Sequence, residues 1–402
     1  MVHYHAAWIV PITGPPMRDA WVTIDRGRVV ATSKRSPGAG DHEIDLGDVV
    51  VMPGLVNAHT HLELSYLRDD VAPASQFVTW IRHVMAARRH HPDGRSAEIL
   101  AAIDRAIVEA VAAGTAVVGD ISNTLVTFAP LARSPLAAVV FYELIQFVAS
   151  DPRAFVDAAC RRLESFVPTE TVRCSLAAHA PYSVGPLVFR AIREAVDRDP
   201  FAPCSVHLSE SIEEMDFIRT GRGPWRELLE ELGVWDPAWV PPGGTPVEFL
   251  HDSGFLQGRV LAVHGVQMTE SDLNQLVACG VTLVTCPRSN GHTGAGAPPI
   301  GKFYKAGVRV AVGTDSLASS PDLNIFAELA TMRALAPHVP ASHLLKSATL
   351  EGARALGFEA DFGTIEPGKR ARLLAITVPA GIDDVEEYLV GGIQLAQVQW
   401  IG

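Results

Sequence analysis

The chain has 402 residues, 48% of them hydrophobic, and a formal net charge of -12. That length accommodates one large α/β domain with a small companion, and the acidic balance excludes a nucleic-acid backbone as the expected partner. No stretch approaches 18 uncharged apolar residues, so no membrane span is expected, and five scattered cysteines without Cys-x-x-Cys spacing read as reduced thiols of a cytosolic protein.

The first residues, Met1-Val2-His3-Tyr4-His5, lack the basic-then-apolar layout of a secretory signal. Residues 1–50 are strand-like and turn-rich. Ala20–Ile24 and Gly27–Thr32 flank Asp25-Arg26-Gly27 as a hairpin, and Ser36-Pro37-Gly38-Ala39-Gly40 reads as a loop. The apolar run from Val49 reads as a buried strand ending in Asn57-Ala58-His59-Thr60-His61. Side chains at i and i+2 of a strand share a face, so His59 and His61 reach one point, as neutral imidazoles do around Zn²⁺ or a similar ion. A lone His-x-His pair is weak, because many such pairs face water.

From here strands alternate with helical segments. Phe77–Met85 is amphipathic, and Ser96 reads as the N-cap of a helix over Ala97–Ala113 closed by Gly114. Further strands are expected at Ala116–Asp120, Ala137–Tyr142, Arg173–His179, Cys204–His207, Val260–His264, Val281–Cys286 and Val308–Asp315. With the first they number eight, which predicts a (β/α)8 TIM-type barrel over 51–361. Short strands after 362 pair with those of 1–50 as a small β-sandwich domain built from both termini.

Catalytic groups in such barrels sit at the carboxyl ends of the strands. His59, His61, His179, His207, His264 and Asp315 fall there. Any one of them alone reads as a satisfied core residue; six in register predict a metal site.

These residues resemble the amidohydrolase superfamily, in its branch of mononuclear nucleobase and nucleoside deaminases and chlorohydrolases. The matching stretches are Pro53–His61, His179-Ala180-Pro181-Tyr182-Ser183, His207-Leu208-Ser209-Glu210, Thr285–Asn290, Gly294–Pro298, Gly313-Thr314-Asp315-Ser316 and Gly363–Lys369, which span nearly the whole chain. The resemblance implies one divalent metal, Zn²⁺ first and Fe²⁺ or Mn²⁺ as alternatives, on His59, His61, His207 and Asp315. Asp315 would accept the water proton, His264 would orient the water's oxygen, and Glu210 would be the general acid/base, its competing reading being a helix-start carboxylate. His179 would bond substrate. No lysine ends strand four, which argues against a binuclear site.

His59–Ser65 with Phe77–Arg82 is similar to aminodeoxyfutalosine deaminases, and the branch also holds S-adenosylhomocysteine and adenosine deaminases. The expected activity is therefore release of ammonia from an amino-purine nucleoside or related heterocycle. The alternatives are loss of chloride or an alkylamine from an N-heterocycle, deamination of guanine or cytosine, or a non-catalytic scaffold. Glu63 either bonds a purine edge or ribose hydroxyl or merely orients its loop; Arg82 or Arg288 meets a substrate carboxylate or stays on the surface. A homodimer or larger assembly is usual in the branch. One departure stands near the end, where Arg372 replaces the usual aspartate after Gly368-Lys369-Arg370-Ala371 and puts local packing in question.

Overall fold

The computed structural model describes residues 1–36 and 42–402; all but Ser36 of the loop expected at 36–40 lies outside the described residues. Strands β1 (Val2–Ile9), β2 (Met17–Asp25), β3 (Arg28–Ser33), β4 (His42–Asp45) and β5 (Val49–Pro53) open the chain. The β2–β3 hairpin turns at Arg26 and Gly27, both at positive φ (47° and 71°), as a two-residue turn matched to strand twist requires. Near the other end, β14 (Leu373–Thr377) pairs antiparallel with β5 and β15 (Val398–Ile401) pairs with β14. Both termini thus share one seven-stranded mixed sheet, in which β1 gives Val2–His5 to β4 and Trp8–Ile9 to β5.

The apolar run expected as a single strand is two strands in two sheets. After β5, β6 (Leu55–Thr60) begins the barrel. Gly54 is the joint: a Cβ there would lie 2.7 Å from Ala116 Cβ and 2.9 Å from the Trp400 ring. The Arg372 guanidinium stacks 4.1 Å over that ring, so the residue that departs from the family pattern packs the joint by a cation–π contact.

The remaining strands are β7 (Thr115–Ser122), β8 (Ala137–Leu144), β9 (Val172–Ala178), β10 (Cys204–Leu208), β11 (Val260–His264), β12 (Thr282–Thr285) and β13 (Arg309–Val312). They run parallel in the order β6 to β13. β7, β10 and β11 are buried along their whole length, as strands covered on both faces must be. Helices cover the outside; Ala97–Ala112 starts where Ser96 Oγ accepts from the Ile99 amide. No helix among the described residues is long and apolar enough to cross a membrane, and all five cysteines are free thiols.

Between β6 and β13 the barrel closes by side-chain and backbone hydrogen bonds at the strand ends. Asn57 Nδ2 donates to Thr314 Oγ1 (2.7 Å), Thr314 N donates to Asn57 Oδ1 (3.1 Å), and the Thr314 and Asp315 amides both converge on the His59 carbonyl (3.1 Å each). Gly313 permits this approach, since a Cβ there would stand 2.7 Å from that carbonyl oxygen. Asn57→Ala should therefore cost about 1–3 kcal/mol for the polar groups left unpaired. A urea denaturation midpoint equal to wild type would show that the seam is held elsewhere.

Candidate metal centre and active site

The barrel brings the strand-end residues to one place. His59 lies within β6 and His61 just after it; His207 lies within β10, His264 ends β11, and Asp315 follows β13. The His61 and His207 Nε2 atoms are 3.3 Å apart. Asp315 Oδ1 lies 3.5 Å from His61 Nε2 and 3.8 Å from His59 Nε2. Donor atoms bound at about 2.1 Å to one ion at tetrahedral angles stand about 3.4 Å apart, a spacing these pairs bracket.

Hydrogen bonds around the cluster aim the lone pairs inward. His207 Nδ1 donates to the His179 carbonyl (2.9 Å), which leaves Nε2 as the free acceptor. Asp315 Oδ2 accepts from Ser289 (2.5 Å) and Ser319 (3.2 Å), so Oδ1 remains for the imidazoles. Both nitrogens of His59 lack any partner although the residue is fully buried. An orphaned imidazole in the interior is costly, and a cation at Nε2, the nitrogen that faces Asp315, would satisfy that end of the ring. The donor set therefore fits one divalent ion.

Burial keeps these imidazoles neutral, as ligation requires. It pushes His61 and His264 down to about 3, and drives His59 well below and His207 below the ordinary histidine value. Burial alone would raise Asp315, but His61, His264, the Ser289 hydrogen bond and His207 together outweigh it and hold the carboxyl below its usual range.

Glu210 follows β10 on a tight bend. Ser209 adopts φ 51°, and the carboxylate of Glu214 accepts both the Ser209 amide (3.0 Å) and the Glu210 amide (2.8 Å). The bend leaves the Glu210 side chain buried, with Oε2 3.6 Å from His264 Nε2. Burial first, then the Asp315 charge, lift its pKa well above the ordinary glutamate value, the direction that favours the protonated form. His264 accepts from Asn290 Nδ2 at Nδ1 (3.0 Å), which leaves Nε2–H toward Glu210. His264 (φ 79°) and Asp315 (φ 60°) share the left-handed backbone of Ser209, a strain of about 1–3 kcal/mol each that clusters at functional sites.

Above the cluster opens a cavity of about 560 Å³, within the range of small-molecule sites. Its floor holds His61, His207, Glu210, His264 and Asp315. One wall is the helix Phe77–Arg89; another includes Trp225, whose ring stacks on Tyr182 at 3.6 Å.

A family model described as "Amidohydrolase family" matches residues 50–392. The chain belongs to the amidohydrolase family. It is 32% identical over 322 residues to an aminodeoxyfutalosine deaminase of Deinococcus radiodurans, covering 78% of this chain and 75% of that one. To a 5-methylthioadenosine/S-adenosylhomocysteine deaminase of Moorella thermoacetica it is 30% identical over 390 residues, covering 92% and 83%. A crystal structure of an adenosine deaminase from Xanthomonas campestris with bound zinc superposes with a TM-score of 0.82 at 28% identity, over 99% of this chain and 90% of that one.

The other residues expected at substrate sort differently in this amidohydrolase. His179 lies at the cavity, with Nδ1 on Ser183 Oγ (2.6 Å), and burial, aided by the Arg88 charge, lowers it to about 4. Glu63 is buried and accepts from Ser122 Oγ (2.6 Å), the Asn123 amide (3.0 Å) and Thr124 Oγ1 (2.7 Å); it orients the loop after β7. Arg82 is paired with Glu231 at the surface, and Arg288 is held by Asp322 (2.7 and 3.0 Å); neither lines the cavity. Arg88 and its neighbour Arg89 do, and Arg88 is the less exposed of the two. It was legible: Phe77, Trp80, Ile81, Val84, Met85 and Arg88 follow one helical stripe, and Arg82 lies off it. Glu143, near the end of β8, also reaches the cavity and carried no motif.

Proposed function

We propose that this amidohydrolase, a hydrolase acting on C–N bonds, is a metal-dependent deaminase of an amino-purine nucleoside, with aminodeoxyfutalosine, 5-methylthioadenosine and S-adenosylhomocysteine as the leading substrates. The observation that carries the reading is the buried Glu210 carboxyl, 3.6 Å from His264 Nε2 at the edge of the three-histidine, one-aspartate cluster. The names of the relatives that share most of the chain's length support the nucleoside class.

His59, His61, His207 and Asp315 would hold the ion, Zn²⁺ first and Fe²⁺ or Mn²⁺ with the same donors. Bound there, it supplies the Lewis acidity that brings a water's pKa toward neutrality. Asp315 takes one proton of the attacking water as the C–O bond forms, while His264 Nε2–H holds the oxygen. Glu210 gives its proton to the neighbouring ring nitrogen, which keeps it in the product. As a carboxylate, Glu210 then takes the remaining hydroxyl proton and hands it to the amine, so that the C–N bond breaks and ammonia leaves. The proton on Asp315 resets Glu210. The free cysteines fit a reducing cytosolic setting.

Ammonia release and purine absorbance would be followed with metal-loaded protein against aminodeoxyfutalosine, 5-methylthioadenosine, S-adenosylhomocysteine, adenosine, guanine and cytosine. One of the nucleosides should turn over with kcat/KM on the order of 10⁴ M⁻¹s⁻¹ or more. Turnover of guanine or cytosine alone, or release only of chloride or an alkylamine from a triazine, would remove the nucleoside reading.

A further inference from the structure

Glu214 is a fully buried carboxylate that takes no part in the proton transfers above. It stands in the first turn of the helix Ile212–Thr220, whose N-cap is Ser211. A carboxylate at that position ordinarily reaches back to the amide of the capping residue. Glu248 does so to Thr245 (2.8 Å), and Asp272 to Thr269 (2.8 Å). Glu214 reaches further, to the two residues before the cap: Oε1 accepts the Ser209 amide (3.0 Å) and Oε2 the Glu210 amide (2.8 Å). Among the described residues Ser209 Oγ finds no partner, so the left-handed backbone of Ser209 is not held by its own side chain. The carbonyls of the bend are held from the neighbouring strand end. Gly265 N donates to Leu208 O (3.1 Å) and Gln267 N to Ser209 O (2.8 Å), on the loop that leaves His264. The peptide unit between Ser209 and Glu210 is thus fastened at both ends, its carbonyl by Gln267 and its amide by Glu214.

We propose that Glu214 is a positioning residue for Glu210: it clamps this peptide unit in its left-handed bend and so sets the Glu210 carboxyl against His264. The inference rests on the acid/base role given to Glu210 above. A carboxylate suits the task, because successive amides of such a turn converge as donors for an anion and both of its oxygens accept. An amide side chain would bring one oxygen only and oppose an N–H to an N–H. Capping of the helix does not demand this reach, since Ser211 Oγ already accepts the Glu214 amide (3.3 Å). Burial lifts Glu214 to about 7 against the pull of the Glu210, Ser209 and Ser211 amides, so the clamp is best measured at about pH 8, where both oxygens accept.

Glu214→Gln would be made in wild type and in Glu210→Gln, both metal-loaded, and assayed on the nucleosides named above. In wild type it should lower kcat about 10- to 100-fold, the cost of misplacing a reacting group by about an ångström, with KM and metal content held. In the Glu210→Gln background the residual kcat should change about twofold or less, because no acid is left to misplace. A crystal structure of the metal-loaded single variant should show Ser209 out of the left-handed region and the Glu210 carboxyl displaced from His264. Glu214→Asp, too short to meet both amides, makes the same comparisons if the Gln variant folds poorly. An equal loss of kcat in both backgrounds would overturn the inference, as would a rise in KM at unchanged kcat, or a bend that stays unmoved in the crystal. An active Glu210→Gln enzyme, or no ammonia from any nucleoside, would fault the assigned reaction, and the displacement in the crystal then decides the positioning by itself.

Discussion

Glu210→Gln should lower kcat by about 10²–10⁴-fold, with KM and metal content close to wild type. The amide keeps the shape and hydrogen-bonding reach of the side chain but has no proton to give the ring nitrogen and cannot carry one to the amine. None of the four proposed ligands is altered, so one ion per chain should still be measured. An active variant would return Glu210 to the helix-start role that its place before the helix Ile212–Thr220 allows. The same substitution should also stabilise the metal-free protein. Burial raises the Glu210 pKa in the folded chain, and a group raised in this way contributes stability at low pH that is lost as pH rises through its folded pKa. The Gln variant has no such loss. Metal-free wild type should therefore melt below the variant, and the gap should widen from acidic to alkaline buffer. A gap that stays constant with pH would mean that Glu210 does not remain protonated on folding. Activity and stability pull in opposite directions at this residue, as at many catalytic carboxyls.

How much of this was legible in the sequence follows from which signals are local. Strand ends were, because β-branched runs break off at His207, His264 and the Gly313-Thr314-Asp315 turn, and eight of them fix the barrel. The division of residues 49–61 between two sheets was not. An apolar pattern runs unbroken through Gly54, and the clash with Ala116 and Trp400 that makes a glycine necessary comes from residues far along the chain. The arginines show a second limit. Arg82 and Arg288 stand near recognisable motifs, but a charge exposed to a carboxylate is captured by it, as Glu231 and Asp322 do here. Periodicity was the better guide, since Arg88 continues the apolar face that lines the cavity. Glu143 had no local signal at all, because only the fold brings it beside His207 and into the cavity lining.

Removing the ion should abolish deamination, and Zn²⁺ should restore it, because the water's activation and the charge that satisfies His59 have the same source. The stripped protein should also melt lower. An ion bound only by the folded chain stabilises it by about 4 kcal/mol when its free concentration is a thousand times Kd. Acid should then expose what the ion conceals. The unfolded chain binds protons at its histidines near pH 6.5, whereas burial holds His61 and His264 at about 3 and His179 at about 4 in the folded chain, with His59 and His207 also lowered. The unfolded state thus takes up more protons below pH 6.5. Stability that is complete above that value should fall steadily as pH drops toward 3, more steeply in stripped protein than in an Asn or Gln variant of one of these histidines. The same depression protects the metal site. Protons compete for a ligand only near its own pKa, so the ion should remain bound at pH 5, where an imidazole of ordinary pKa would be protonated. Metal content measured after dialysis across pH 4 to 8 decides it: release centred near 6.5 would show that these histidines are not held neutral, and activity surviving chelation would remove the ion from the mechanism.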